Sequence, residues 1–240
     1  MIIDRNQLQG KTIVITGASR GIGREIAKVL SPYSANLVLG SRNQDELLEL
    51  AHSLSYSVYA LPLDVTDETS VKSFVDEALR RYGKIDILIN CAGFGHFSSF
   101  LETTTEDFDQ MMTVNVKGTF LCSKYVGQAM AEEGEGHILN LASIAATTAL
   151  PGCAGYSASK FGVLGLTKVM QAELRGKGIQ VTAVLPGSVN STFWDHMEST
   201  PDLSKAIPVE SLAEHIAFLL CQPKGMYVDE VTIMPPLGIL

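Results

Sequence analysis

Tyr156 and Lys160 stand four residues apart in "YSASK", with only small residues between them. A free phenol titrates near ~10 and is a poor acid or base at neutral pH. If the segment is helical, the two side chains share one face, and an ammonium there favours the phenolate and draws the tyrosine pKa down. A shift of about three units corresponds to roughly 4 kcal/mol and would bring the phenol near working pH. Such a pair can pass a proton to an oxygen that gains negative charge, and a neighbouring hydroxyl can donate to the same oxygen. Ser143, ending "LNLAS", is a candidate for that hydroxyl, and Asn115, in "VNVKGT", is a polar residue inside a helical pattern. Each also has a plainer reading. Tyr/Lys pairs occur on many solvated helix faces, and Ser and Asn side chains often bond local backbone.

A second cluster lies in "TGASRGIG", Thr16 to Gly23, between an apolar run and a helical pattern. Glycines at 17, 21 and 23 let the backbone turn tightly and approach a ligand. A helix opening there offers unpaired N–H groups to a pyrophosphate. The spacing is G-x-x-x-G-x-G rather than the more usual G-x-G-x-x-G. Gly17 to Gly21 also matches the G-x-S-x-G nucleophile elbow of serine hydrolases, but that elbow follows several earlier strands and this one follows the first. Dinucleotide sites that prefer NAD carry a carboxylate about 20 residues further on, at the ribose 2′-hydroxyl. Here "LVLGSRNQDE" offers Ser41 and Arg42, with no acid until Asp45. A hydroxyl and a guanidinium suit a 2′-phosphate, with Arg20 as a second positive charge, so the pattern predicts NADP(H).

The elements that must hold these residues alternate along the chain. Apolar runs at 12–16, 36–40, 57–61, 85–90, 136–143, 179–186 and 230–234 read as strands covered on both faces. Helical patterns fall near 21–31, 43–54, 67–81, 104–132, 155–176 and 209–220, with "TTTE" (103–106) as a capping box. That alternation predicts one α/β domain over 1–240, a doubly wound seven-stranded parallel sheet with helices on both faces. The stretch 187–208 is long for a loop and carries Phe193, Trp194 and Met197, which suits a substrate lid.

Composition narrows the rest. A formal charge of −8 and no Lys/Arg cluster argue against a nucleic-acid surface. No apolar stretch reaches the length of a membrane span. Cys91, Cys122, Cys153 and Cys221 are scattered and the five histidines dispersed, so neither disulfides nor a metal site is expected. A reduced, cytoplasmic protein is the expectation.

Taken together, the glycine turn, "YSASK", "NCAG" (90–93), Asp64-Val65, Asn115, Ser143 and "PGSVNSTF" (186–193) resemble the short-chain dehydrogenase/reductase family over essentially the whole chain. The resemblance implies a Rossmann-type fold and a catalytic set of Ser143, Tyr156 and Lys160, supported by Asn115. It implies that Gly17, Ser19, Arg20, Gly21, Ile22 and Gly23 cradle the pyrophosphate. Asp64 and Val65 would face the adenine, Asn90, Ala92 and Gly93 would line the cleft, and Lys160 would also bond the cofactor ribose. Pro186, Gly187, Val189 and Ser191 would border the nicotinamide. Ser191 stands where threonine is frequent, and Cys91 where alanine is commoner.

The leading expectation is an NADP-dependent oxidoreductase moving hydride between NADPH and a small carbonyl or alcohol substrate. The chain broadly resembles reductases of 3-oxoacyl groups on acyl carrier protein, for which Lys168, Arg175 and Lys177 could supply a basic patch. The alternatives are an NADP-sensing regulator without turnover and the serine hydrolase above. Phe94, His96, Phe97, Cys153, Phe193, Trp194 and Met197 are candidate substrate lining, favouring an apolar or aromatic molecule. Phe108, Met111, Phe120, Val163, Leu166 and Met170 give two helices apolar residues on more than one face, which predicts a homo-oligomer, a tetramer by resemblance, or a dimer.

Overall fold

The computed structural model describes residues 5–54, 57–195, 197, 200–223 and 225–239. Seven strands form one parallel sheet: β1 (Thr12–Thr16), β2 (Asn36–Ser41), β3 (Val58–Pro62), β4 (Ile87–Asn90), β5 (Gly136–Leu141), β6 (Ile179–Pro186) and an edge strand, Glu230–Ile233. Their spatial order runs β3-β2-β1-β4-β5-β6 and then that edge strand, so the chain reverses direction across the sheet between β1 and β4. A crevice opens beyond the strand ends at such a switch point.

Period-two alternation divides the core into two layers. Ile13, Ile15, Leu37 and Leu39 face α1 (Gly21–Leu30), α2 (Gln44–Ser53) and the last helix, Val209–Leu220. Val14, Val38, Leu88 and Ile138 face α3 (Glu68–Tyr82), α5 (Gly118–Glu133) and the side of α6 (Ala154–Leu174) that carries Met170 and Leu174. Each fully buried aliphatic side chain is worth about 1.5–3 kcal/mol. Side chains cap three of the helices. Asn43 accepts from the Glu46 amide, Asp67 from that of Thr69, and Thr104 from that of Asp107 at the start of α4 (Thr105–Met111). The cap of α4 is therefore Thr104, one residue beyond the expected box, because Thr103 bonds instead to Ser98 and Ser99.

The helix expected over 104–132 is divided. Between α4 and α5, Met112–Lys117 widens into a π-helical turn. This turn directs Asn115 inward, where its amide is fully bonded, a use π-helical turns often have near functional sites. The expected loop at 187–208 contains two short strands, β7 (Val189–Asn190) and β8 (Ile207–Pro208), paired in parallel. They close the base of the excursion, and Ile207 N donates to Ser188 O at 2.9 Å. His196, Glu198 and Ser199 within it lie outside the described residues. With β7 and β8 placed, the edge strand Glu230–Ile233 is β9 and the helix Val209–Leu220 is α7.

Candidate active site

A cleft of about 800 Å³ opens at the carboxyl ends of the strands, astride β1 and β4. At its centre Gly17 takes φ +65°, and a Cβ there would stand 2.7 Å from Ala92 Cα, so no side chain fits. The Thr16 hydroxyl accepts from the amides of both Cys91 and Ala92, each at 3.1 Å, and clasps the two halves of the sheet together. Thr16 drew attention in the sequence only as a strand end, since its role depends on which strand lies beside β1. Ser19, Arg20, Gly21, Ile22 and Gly23 line the cleft where α1 begins. Whereas α2, α3 and α4 have side-chain caps, α1 has none, leaving its first N–H groups directed at the cleft. A pyrophosphate fits that uncapped end.

On the β2 and β3 side lie Ser41, Arg42, Asp64 and Val65. The Ser41 hydroxyl donates to Ser19 Oγ at 2.9 Å, so each serine already holds the other. Burial works to raise the Asp64 carboxyl, but hydrogen bonds from the Thr66 amide and hydroxyl and the charge of Arg42 outweigh it and hold it below the usual carboxylate range. Glu46, one turn into α2, lines the same corner. Its position carries no signal in the sequence, because only the helix start brings it back toward β2.

On the other side lie Ala92, Gly93, Ser143, Tyr156, Lys160, Pro186, Gly187, Val189 and Ser191. Asn115 stands behind them. Its Nδ2 donates to Phe94 O at 2.8 Å and to Ser159 Oγ at 2.9 Å, and its Oδ1 accepts from Phe94 N at 2.8 Å. It fixes the loop after β4 and the α6 turn that carries Tyr156, without lining the cleft itself. Asn90 departs from expectation: its Nδ2 turns into the core, to Ser123 Oγ at 3.0 Å and Asn140 Oδ1 at 2.8 Å. Strand alternation faces it away from the cleft, and its role is to knit β4 to β5.

Tyr156 sits among rings. Its centroid is 5.4 Å from that of Phe97 and 5.6 Å from that of Phe193, and Trp194 packs edge-on to both phenylalanines. Phe193 also covers Gly95 so closely that a Cβ there would be 2.5 Å from its Cζ. Burial pushes the Tyr156 phenol up to about 12, opposed by hydrogen bonding with Ser143 and reinforced by Cys153. Burial likewise pushes the Lys160 amine down to about 8, with Cys91 acting in the other direction. The expected lowering of the tyrosine by its lysine is therefore reversed in this structure. Desolvation dominates at both groups, and Lys160 Nζ donates to Leu141 O at 2.8 Å rather than to the phenol. Cys91 lies on the cleft with its thiol pushed up to about 12 by burial, which leaves it unreactive.

Among the described residues, no group of three or more His, Cys, Asp or Glu could hold a metal ion, and no helix is long and apolar enough to cross a membrane. Residues 11–202 match the family model of short chain dehydrogenases. An uncharacterized oxidoreductase of Staphylococcus haemolyticus (strain JCSC1435) is 34% identical over 230 residues, 95% of this chain and 99% of that protein. One from Staphylococcus aureus (strain MRSA252) is 35% identical over 229 residues, 95% and 98% of the two chains. Among solved structures, an alcohol dehydrogenase from the archaeon Thermococcus sibiricus, complexed with 5-hydroxy-NADP, matches with a TM-score of 0.87. It is 31% identical to this chain, and the match covers 94% of this chain and 96% of that one. On this evidence the chain belongs to the short-chain dehydrogenase family of oxidoreductases.

Proposed function

We propose that the protein is an NADP(H)-dependent reductase of small carbonyl compounds, and dehydrogenase of the matching alcohols, with Tyr156 as the general acid/base. One observation carries the reading: a phenol, the Ser143 hydroxyl and a buried lysine meet at one end of a cleft whose other end is an uncapped helix start. When bound, the nicotinamide supplies or removes the hydride at carbon. The chain's own residues handle the oxygen. Ser143 donates a hydrogen bond to it, and the neutral Tyr156 phenol delivers the proton. A phenol pushed up to about 12 is fully protonated at neutral pH, the state needed for reduction. Alcohol oxidation needs the phenolate instead, so its rate should climb with pH. Asn115 steadies the turn that carries Tyr156, through Ser159, and the loop after β4, through Phe94.

Arg20 and Arg42 at the Ser41 corner favour the extra phosphate of NADP, against Glu46 on the same rim. The neighbour complexed with an NADP analogue supports the same preference. An intact proton-donor set speaks against a regulator that binds without turnover. Absorbance of NADPH followed across a panel of ketones and aldehydes tests the reading, with loss of signal on at least one carbonyl expected. No turnover of any carbonyl would leave the regulator standing.

Exposed Phe108, Phe120, Phe161 and Val169 on α4, α5 and α6 support a homo-oligomer, whereas Met111 and Val163, also expected there, are buried in the core. Light scattering should give a mass of two or four chains at micromolar concentration. A monomer would refute it. All four cysteines are free thiols, which fits a reducing cytoplasm.

A further inference from the structure

Beyond its reaction type, the cleft carries a charge asymmetry that bears on substrate. Among the described residues its charged lining is Arg20, Arg42, Glu46, Asp64 and Lys160. The first four belong to the glycine turn, the ends of β2 and β3, and the first turn of α2. Lys160 lies beneath the site with its Nζ donated to Leu141 O. Around Tyr156 stand the rings of Phe97 and Phe193, with Trp194 against both, and the uncharged remainder of the cleft lining includes Leu150, Pro151 and Ile239 beside Ser188, Thr192 and Thr200. From this we infer that the substrate is a free, uncharged ketone bearing an aromatic or bulky apolar group, or the matching secondary alcohol, and neither a 2-oxo acid nor a carrier-bound acyl chain. This assignment rests on the oxidoreductase reading above.

Three features argue for it. A carboxylate or phosphate brought over Tyr156 would lose water and find among the described residues only Lys160, whose Nζ lies 5.6 Å from the Tyr156 ring centroid, behind the phenol, and is already donated to Leu141 O. Phe193 already stands over the phenol, 5.6 Å from it between centroids, and contacts Phe97 at 6.1 Å and Trp194 at 5.5 Å. Admitting a substrate breaks some of these ring contacts. A molecule with its own ring restores them in offset or edge-on geometry, and a small polar one does not. The third feature is the placement of basic groups. Lys168, Arg175 and Lys177 lie toward the far end of α6 from Tyr156, and Arg175 is paired with Asp229 at 2.6 Å. At 1.5 Å per residue, Arg175 is roughly 28 Å along the helix from the phenol. The loop just beyond Phe97 and the first turn of α4 that follows it carry Glu102, Glu106 and Asp107, which repel an acidic carrier.

Ile239 adds a wall that comes from the segment after β9. Gly187 N donates to Ile233 O at 2.8 Å, and Gly238 N to Pro235 O at 2.9 Å, folding the segment after β9 back over the cleft. Ile239 reaches the cleft while remaining 51% exposed, so it can be replaced without opening the core.

A matched pair of substrates tests the assignment in the full chain with NADPH: 4-phenyl-2-butanone and 2-oxo-4-phenylbutanoate, which differ by a methyl against a carboxylate. The ketone should show kcat/KM at least about tenfold above both the acid and 2-butanone, and above acetoacetyl groups on acyl carrier protein. Preference for the acid or the carrier substrate would overturn the assignment and leave the oxidoreductase reading intact. Binding is read independently of turnover, because Trp194 is the single tryptophan. In the NADP complex its fluorescence should be quenched by the ketone and not by the acid at equal concentration. Ketone binding without reduction of any carbonyl would sink the enzyme reading alone, and absence of ketone quenching up to millimolar levels would sink this one. Ile239→Arg should then raise acid over ketone at least about fivefold, by supplying the missing cation. An unchanged ratio would overturn the claim that charge decides.

Discussion

At the centre of the cleft, Gly17 approaches β4 so closely that a Cβ would lie 2.7 Å from Ala92 Cα, whereas above Tyr156 the space is shaped by the rings of Phe97, Phe193 and Trp194. The first half is made of backbone: a positive φ, an uncapped helix start and two amides held on Thr16. The second is made of side chains carried by the loop after β4, the excursion after β6 and the segment after β9. Backbone-built recognition suits a ligand that does not vary, because almost any added atom there clashes. Side-chain recognition can be reshaped one residue at a time while the sheet stays as it is. Lys160 sits at the seam between them.

Substitutions on either side of that seam should fail differently. The largest effect is expected from Tyr156→Phe, which keeps the ring packing and removes the proton. Turnover should fall by about 10²–10⁴-fold while NADPH still binds. Full activity in this variant would remove Tyr156 from the role of proton donor. Ser41→Asp acts in the other half. A carboxylate facing a 2′-phosphate should cut NADPH efficiency by roughly tenfold or more and help NADH, read from kcat/KM for each cofactor. Equal use of both cofactors by the unmodified enzyme would dissolve the NADP preference. The smallest effect tests the seam. Burial depresses the Lys160 amine to about 8, so its charge is present below that pH and lost above it. NADPH affinity should therefore weaken several-fold between about pH 7 and 9.5, and Lys160→Ala should be weak and flat across the range. A wild-type profile flat to pH 9.5 would place the amine's titration higher.

Much of this was legible in the sequence, for a physical reason. Strands buried on both faces must be apolar throughout, so runs such as "TIVIT" and "IQVTAVLP" fall within a residue or two of the strands found. The glycine turn was legible because few residue types permit its backbone. What escaped was whatever depends on neighbours distant in the chain. Thr16 acts only because β4 lies beside β1. Asn90 was assigned to the cleft, but strand alternation aims it at Ser123 and Asn140. The π turn at Met112–Lys117 leaves no mark in a helical period, and the reach of Ile239 over the cleft has no local signal. The sign of the Tyr156 shift was misjudged because spacing gives the distance to a charge but not the loss of water around it.

The clasp at Thr16 also has a consequence for how the molecule assembles. Ile13 pairs with Leu37 on one side and Ile87 on the other, so β1 gains its first neighbour early in the chain and its second only much later. The bond from the Cys91 amide to Thr16 spans a sequence separation of 75 residues. Closing so long a loop adds little to the equilibrium cost, about 0.6 kcal/mol per doubling of length, but pairings this remote slow folding. Each half of the cleft can form beside its own crossovers, yet the complete dinucleotide cradle exists only once they are joined. A ligand that recognises the joined state comes too late to guide folding and instead slows its reversal, adding about 2.7 kcal/mol of stability at a hundred times its dissociation constant. A dinucleotide that binds this cleft is therefore expected to act as a latch on the finished molecule rather than as a guide to its folding.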